Sequence, residues 1–158
     1  MAKVNIKGRQ VALYLEKPAG SGSFVRYLCA DTVGLTVNTE EIEVTADCED
    51  VEDENAVVFK DFEDGAIDWT GTVGGKLRRI DGDDAATNFT AAELMKLQLA
   101  GTKLKMRFSL GTAVGADRFE GTIFFTNNNL NADSNDATNS ATFRGKGMLA
   151  AVTVPPAV

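Results

Sequence analysis

Residues 103–110 read Lys-Leu-Lys-Met-Arg-Phe-Ser-Leu, a strict alternation of polar and apolar side chains. Successive side chains of a β-strand point to opposite faces, so this pattern predicts a half-buried strand. The apolar members that we expect in the core are Leu104, Met106 and Phe108. The polar members that would then face water or a neighbouring subunit are Lys103, Lys105 and Arg107.

Similar apolar runs, mostly alternating, recur along the chain and predict eight or nine strands in all. The other segments are residues 9–16, 24–30, 33–46, 57–59, 67–73, 119–126 and 142–154. Residues 111–116 and 127–136 are rich in residues that favour turns, chiefly Gly, Asn and Asp. Most strands show one polar face, which indicates antiparallel pairing. The predicted fold class is mainly β: an antiparallel β-sandwich or partial barrel with one short flanking α-helix.

The helix is predicted to begin after Thr90. Thr90 and Glu93 have the spacing of a capping box, and Phe89 and Leu94 that of a hydrophobic staple. Gly101 stands where a left-handed residue ends a helix. The helix should therefore have about ten residues, or roughly 15 Å, and we expect it to pack on one edge of the sheet.

Charge is distributed unevenly along the 158 residues, which fit one domain. Residues 40–68 hold thirteen acids and one lysine, a net charge of −12, whereas the whole chain carries −7 and the rest therefore +5. Such a split suits a surface that meets its opposite on a neighbouring copy. We predict a single domain over residues 1–158, with an acidic loop near 47–64 and short flexible termini.

The charge split also defines the candidate inter-subunit contacts. The acids are Asp47, Glu49, Asp50, Glu52, Asp53 and Glu54. The bases that would receive them are Arg78, Arg79, Lys103, Lys105, Arg107, Arg144 and Lys146. The acidic balance also argues against tight nucleic-acid binding, which depends on cationic contacts to phosphate.

Features of catalysis are missing from the sequence. It has no histidine, the commonest general base and metal ligand. Cys29 and Cys48 lack CxxC spacing, so two half-buried thiols are expected, with a single bridge as the alternative. Residues 81–84, Asp-Gly-Asp-Asp, lack the spacing of a calcium loop. We therefore predict no enzyme activity, no catalytic or metal site and no cofactor. The sequence shows neither a signal peptide nor an apolar stretch long enough to cross a membrane.

Four segments resemble the major tail protein family of long-tailed bacteriophages whose tails are non-contractile. They are residues 7–15, with Lys-Gly-Arg before the first strand; residues 28–38 with 43–45; residues 68–75, around Trp69; and residues 119–123 with 137–147, across an Asn-rich loop. Their order around one short helix carries the likeness, which extends from about residue 7 to 150.

The resemblance implies a structural subunit found in the virion tail and assembled in the bacterial host cytoplasm. Subunits of this family form hexameric rings in which one sheet from each copy joins a continuous barrel, and the rings stack into a tube that conducts DNA. The expected partners are other copies of the chain and the tape-measure, tail terminator and tip proteins. DNA would pass without specific binding, and no membrane insertion is expected.

Two other functions remain open at this stage. One is a tube subunit of a contractile tail or secretion machine, which has a related fold. The other is a carbohydrate-binding or adhesin β-sandwich module. A module of that kind needs exposed aromatic side chains, whereas aromatic residues make up only 8% of this sequence.

Overall fold

The structure is a computed structural model that describes residues 8–27, 31–44, 61–77 and 88–156. A short 3₁₀ helix at Gly8–Gln10 precedes the first strand. The strands are β1 (Ala12–Glu16), β2 (Phe24–Arg26), β3 (Thr32–Val44), β4 (Asp61–Lys76), β5 (Leu104–Ser109), β6 (Asp117–Ala132) and β7 (Ala137–Thr153). One helix, α1 (Ala91–Leu99), lies between β4 and β5.

The seven strands form one sheet in the order β2-β1-β5-β6-β7-β4-β3. The sheet is antiparallel and is not closed, and the chain is mainly β with a single short helix. The predicted fold class is therefore confirmed. The seven strands correspond to seven of the predicted segments, and the remaining segment, residues 57–59, lies outside the described residues.

The core forms on one face of the sheet and contains the side chains that the alternation in β5 predicts. Leu104, Met106 and Phe108 are all buried. Lys103 and Lys105 are exposed, as expected, whereas Arg107 is only half-exposed. The register of β5 is therefore confirmed.

Trp69 on β4 is the largest buried side chain. Its indole lies over two glycines of neighbouring strands, Gly121 on β6 and Gly145 on β7; a Cβ at either position would come within 3.0 Å of the ring. The indole Nε1 donates a hydrogen bond to the carbonyl of Gly147 at 2.9 Å. These glycines leave the space in which the Trp69 ring lies across β7 and β6.

Helix α1 begins and ends as predicted. Thr90 accepts a hydrogen bond from the Glu93 amide, and the Glu93 carboxylate accepts one from the Thr90 amide, which completes the capping box. Gly101 has a φ of +63°, and the amides of Gly101 and Thr102 bond to the carbonyls of Gln98 and Leu97. This is a Schellman ending.

The helix contacts β6, the central strand, and not an edge of the sheet as predicted. Gln98 donates to the carbonyl of Thr126 at 3.0 Å, and Leu94 is fully buried. The apolar face of α1 covers the core beside the part of β6 that extends beyond the start of β5. This position buries apolar surface, and the free energy gained by that burial favours it over a position at the edge of the sheet.

Two local predictions are wrong. Residues 9–11 are not strand, because the amide of Val11 closes a tight turn onto the carbonyl of Gly8 and β1 starts at Ala12. Residues 127–132 are not turn, because they continue β6 and pair with β7 as far as Ala132. Only residues 133–136 turn, with Asp133 Oδ1 accepting the amides of Asn135 and Asp136.

The chain divides into two units, residues 1–36 with 69–158, and residues 37–68. Several predictions lie outside the described residues. They are the states of Cys29 and Cys48, the positions of Arg78 and Arg79, and the acidic candidates Asp47, Glu49, Asp50, Glu52, Asp53 and Glu54. Of the predicted acidic loop near 47–64, the structure describes only the stretch from Asp61, where β4 begins.

Candidate assembly surface

The sheet face opposite the core is called here the polar face; it carries the out-pointing side chains of β5, β6, β7 and β4. Residues directly opposite each other on paired strands share a face. Lys105 pairs with Thr122 and Thr122 with Lys146, so these three side chains form one row. Arg144 lies on the same face, because it pairs with Phe124 on one side and Thr70 on the other.

Five predicted contact residues therefore come together from distant parts of the sequence. They are Lys103, Lys105, Arg107, Arg144 and Lys146. Lys103 directly precedes β5, Lys105 and Arg107 lie on β5, and Arg144 and Lys146 lie on β7, on the other side of β6. Their charges were visible in the sequence, but their common face follows from the register of the three strands.

Arg107 makes two kinds of contact within the chain, an ion pair and a stacking contact. Its Nε lies 2.8 Å from Glu120 Oε1, and Arg118 Nε lies 2.9 Å from the same oxygen. The guanidinium also stacks over the ring of Phe24, 3.6 Å from its centroid. Arg107 Nε, Arg118 Nε and Glu120 Oε1 are buried from solvent and lie at ion-pair distance, but their geometry is not that of a hydrogen bond. We therefore assign both contacts as ion pairs.

Lys103 and Lys146 stand next to each other at the start of β5. The hydrogen bond and the charge of Lys146 lower the pKa of Lys103 below its ordinary value. Both side chains border a groove of about 370 Å³ whose apolar floor includes Leu97, Phe124 and Phe125. Two ammonium groups beside an apolar floor favour a ligand that combines carboxylates with apolar side chains.

The polar face changes character along the β6–β7 hairpin. Rows of uncharged side chains replace the cations: Thr72 with Thr142 and Asn127, and then Ser140 with Asn129. A β-bulge between Phe125 and Asn127 shifts the register, so that Asn127 and Asn129 share a face with Thr142 and Ser140. The sequence analysis missed this surface, because a run of asparagines favours turns and shows no alternation.

The sheet also has open edges, meaning stretches of strand without a paired neighbour among the described residues. β3 is the last strand of the sheet and has 13 residues. β6 pairs with β5 only as far as Ile123, so Phe124–Ala132 has a strand partner on its β7 side alone, and α1 contacts part of this stretch through Gln98, which donates to the Thr126 carbonyl. The alternation in the sequence of β3 predicted that strand, although not its place at the edge of the sheet. The unpaired stretch of β6 depends on where β5 begins, which the sequence pattern does not show.

Near the start of β5, a buried carboxylate fixes the turn between β1 and β2. Glu16 is 3% exposed and accepts hydrogen bonds from the amides of Gly22 at 2.7 Å and Lys105 at 3.2 Å. Burial raises the pKa of Glu16, but the amides of Gly20, Gly22 and Lys105 together lower it below its ordinary value. Glu16 is thus a structural anion, which the sequence analysis did not single out.

In the described part of the chain, no group of three or more His, Cys, Asp or Glu side chains is placed to hold a metal ion. Neither helix in this part of the chain is long and apolar enough to span a membrane.

Comparison with known proteins gives a likeness of fold. The chain matches no protein-family model and no curated protein. A chain from the tail of an empty GTA particle with C6 symmetry is 15% identical, with a TM-score of 0.70, over 91% of this chain and 96% of that chain. A chain from the virion of a native gene transfer agent (GTA) particle is 13% identical, with a TM-score of 0.68, over 92% and 98%.

A chain from the hybrid NMR and cryo-EM structure of the SPP1 tail tube is 14% identical, with a TM-score of 0.70, over 96% of this chain and 81% of that chain. At such low identity the three comparisons establish the fold. The likeness to tail tube proteins that the sequence indicates is therefore confirmed for the fold.

Proposed function

We propose that this chain is a structural subunit, not an enzyme, which assembles with copies of itself into the tube of a phage-like tail. The fold shared with chains from a GTA tail and the SPP1 tail tube supports this proposal. One observation carries it. The strands β6, β7, β4 and β3 form a four-stranded section whose two outer strands both have open edges.

Open edges are unusual in a protein that works as a monomer. An unpaired strand presents a row of backbone donors and acceptors, and natural proteins shorten, charge or cover such strands. β3 has 13 residues and no proline, and its charged side chains, Glu40, Glu41 and Glu43, lie in its second half, so Thr32–Thr39 is an uncharged edge. If the β3 edge of one copy pairs with the β6 edge of the next, the contact is head-to-tail, and it generates a ring when the rotation from copy to copy closes. A closed barrel then pairs both outer strands of the four-stranded section.

The neutral rows of the hairpin suit the inner wall of such a ring. A wall of Thr, Ser and Asn hydroxyls and amides is wettable but offers few cations to phosphate. Binding to DNA depends mainly on cationic contacts, so this surface would let DNA slide. Thr142, Ser140 and Asn129 are the central members of the wall in this proposal.

The finer parts of the proposal follow from the same family likeness. The ring would be hexameric, in keeping with the C6 symmetry of the GTA tail. The tube would be of the non-contractile kind, would be built in the cytoplasm of a bacterial host and would conduct DNA at ejection. Tape-measure, tail terminator and tip proteins would be its further partners.

The proposal is tested by assembly of the purified chain. Concentrated protein in mild salt, viewed by negative-stain microscopy, should show rings or tubes with a central channel. A monomer that stays dispersed and binds glycans would contradict the proposal and favour the carbohydrate-binding alternative.

A matched pair of variants tests the role of the open edge. Val37 on β3 and Val114 in the 110–116 loop are both exposed valines. Val37→Lys places a charge beside the open edge and should prevent ring formation. Val114→Lys makes the same chemical change away from the four-stranded section and should assemble normally. Equal assembly by both variants would remove β3 from the contact.

A further inference from the structure

Arginines gather on the polar face at the end of the sheet where β2, β1, β5 and the start of β6 lie side by side. Residues directly opposite each other on paired strands share a face. The row that crosses these strands consists of Arg26, Tyr14, Arg107 and Glu120. On the next row, Arg118 of β6 pairs with Ser109 of β5. The two rows therefore hold three arginines and a single carboxylate.

That carboxylate is shared by the two inner arginines. The Nε atoms of Arg107 and Arg118 lie 2.8 and 2.9 Å from the same oxygen, Oε1 of Glu120. Among the described residues, neither guanidinium has a second hydrogen-bond acceptor or carboxylate partner. Each guanidinium carries five N–H donors. The pair therefore keeps one net positive charge and most of its donors without a partner in this part of the chain.

A cavity of about 250 Å³ lies beside the two guanidinium groups. Its polar lining consists of Arg107, Arg118 and three hydroxyl side chains, those of Tyr14, Ser109 and Thr112. The Ser109 hydroxyl donates to the carbonyl of Gly111, so its proton is already used. The Arg118 side chain is only 17% exposed, and shielding from water strengthens an electrostatic contact. The cavity thus joins positive charge, hydrogen-bond donors and partial shielding.

We propose that this cavity binds a phosphate group, with Arg107, Arg118, Tyr14 and Thr112 as the donors. Arginine binds phosphate and carboxylate oxygens with paired N–H groups. The two anions differ in the number of their oxygens. A carboxylate has two, whereas inorganic phosphate has four, and four donor side chains line the cavity. Phosphate therefore satisfies more of these donors than a carboxylate does.

The expected ligand is a small molecule, either inorganic phosphate or a phosphate monoester. The ring of Phe24 and the side chain of Val154 also line the cavity and give it an apolar part. The carbon substituent of a monoester would contact that part. Tight binding of DNA needs several cationic contacts along the phosphate backbone, whereas this is a single, partly shielded site with one shared carboxylate.

The site goes beyond the proposed function, because it does not depend on assembly. A phosphate bound there would connect β1, β5, β6 and the loop at residues 110–116. A ligand that binds only the folded chain stabilises it. This end of the sheet would therefore be more stable with phosphate than without it.

Equilibrium dialysis of the full chain against labelled inorganic phosphate tests the site, with ionic strength kept constant by sodium chloride. The wild type should bind about one phosphate per chain. Arg118→Gln should weaken binding about a hundredfold, because the charge-assisted hydrogen bonds of one guanidinium are lost. Lys96→Gln removes an exposed positive charge from α1 and is the control. Equal weakening by both variants would show general attraction by charge and overturn the proposal.

Two further variants test the site even if Arg118→Gln folds poorly. Tyr14→Phe removes a hydroxyl and keeps the ring, so phosphate should bind about tenfold more weakly. Glu120→Gln removes the shared carboxylate and should tighten phosphate binding about tenfold, since the charge beside the cavity rises by one. Damage to the fold cannot tighten binding. Unchanged or weaker binding by Glu120→Gln, in a chain that circular dichroism shows to be folded, would contradict the site.

Competition distinguishes the sources of the phosphate group. Glycerol phosphate should displace the label if the cavity accepts a monoester, and unlabelled inorganic phosphate alone should displace it if the cavity accepts only the free anion. Displacement by duplex DNA at the same phosphate concentration would assign the site to the DNA backbone and overturn the proposal. Acetate that competes as well as phosphate would overturn it too. Rings or tubes that form without phosphate would leave the proposed function intact in every case.

Discussion

Gly145 shows how strongly one residue can be constrained in this sheet. A Cβ at this position would lie less than 3.0 Å from the Trp69 indole, which is buried and held by its hydrogen bond to Gly147. The ring therefore has little freedom to move away. Glycine is needed at position 145 for space and not for its backbone conformation. Gly145 is not among the glycines with positive φ, whereas Gly147, two residues further on, is.

We predict that Gly145→Ala lowers the free energy of unfolding by about 1–3 kcal/mol, the usual cost of overpacking a core. Urea denaturation followed by Trp69 fluorescence measures the change. Gly8→Ala is the control, because a Cβ there meets nothing within 4 Å. A loss no larger than that of the control would mean that the indole can shift away from β7.

Glu16 gives a prediction about pH. Its net pKa is lower in the folded chain than the ordinary value of 4.5. An acid with a depressed pKa stabilises the fold when ionised, so its contribution is present above about pH 4.5 and is lost as the pH falls through the lower folded pKa. The stability of the wild type should therefore decline on acidification below that value.

Glu16→Gln removes this charge while keeping the shape of the side chain. At pH 7 we expect a loss of about 1–3 kcal/mol, because the amides of Gly22 and Lys105 lose a charged acceptor. At pH 3 the difference between variant and wild type should shrink. A difference that stays constant across this range would show that the Glu16 carboxylate is not ionised in the fold.

At the scale of single elements, α1 depends on the signals at its ends. The helix has only nine residues, too few to be stable alone in water. Its first turn is fixed further by Lys17, whose Nζ lies 2.7 Å from Glu93 Oε1 and 2.8 Å from the carbonyl of Asn88. The cap thus joins the helix to the turn after β1.

Thr90→Ala should destabilise the chain by about 1 kcal/mol, because the Glu93 amide loses the side-chain hydroxyl that caps it. Hydrogen exchange of amides in the first turn of α1 should quicken. Thr90→Ser keeps the hydroxyl and serves as the control. Unchanged exchange near Leu94 in the alanine variant would show that the Lys17 contacts hold the turn by themselves.

The β6–β7 hairpin shows how an element can override local preference. Asn127, Asn128 and Asn129 favour turns, yet they pair with Thr142, Ala141 and Ser140 on β7. Asn128 also donates to Gln98 of α1 at 3.0 Å. Pairing along a long partner strand, together with the contact to the helix, outweighs the small propensity of each residue.

At the scale of the whole molecule, the charge split is the property that assembly would use. Contacts between an acidic segment and basic neighbours weaken as salt rises, since screening shortens to about 8 Å at physiological strength and further above it. We expect the assembly proposed for this chain to decrease in salt well above that level. Assembly that strengthens with salt would point to an interface held by apolar contacts.

Reversing the acidic run tests the same idea without changing the solvent. Replacing Glu49, Asp50, Glu52 and Asp53 by lysine should block tube growth if the run docks on a neighbouring copy. If the run instead lines the channel, tubes should still form but retain DNA. A quadruple variant that assembles as the wild type does and passes DNA would exclude both roles.

The sequence by itself determined the features that depend on neighbouring residues. Strict alternation fixed the buried face of β5, because a shift of one residue would turn Leu104, Met106 and Phe108 out of the core. The capping box fixed the start of α1, because Thr90 and Glu93 satisfy each other's amides within one turn. The order of motifs around that helix was sufficient to indicate the fold that the comparisons confirm.

Tertiary structure alone decided the features that depend on pairing between distant strands. Lys103 and Lys146 are 43 positions apart in sequence, and only the register of β5, β6 and β7 places them together. The open edge of β6 exists because β5 begins at Leu104, opposite Ile123, and leaves the rest of β6 unpaired on that side. The composition and periodicity of a sequence do not show where one strand ends relative to its neighbour, because the relative positions of strand ends are set by packing across the whole sheet.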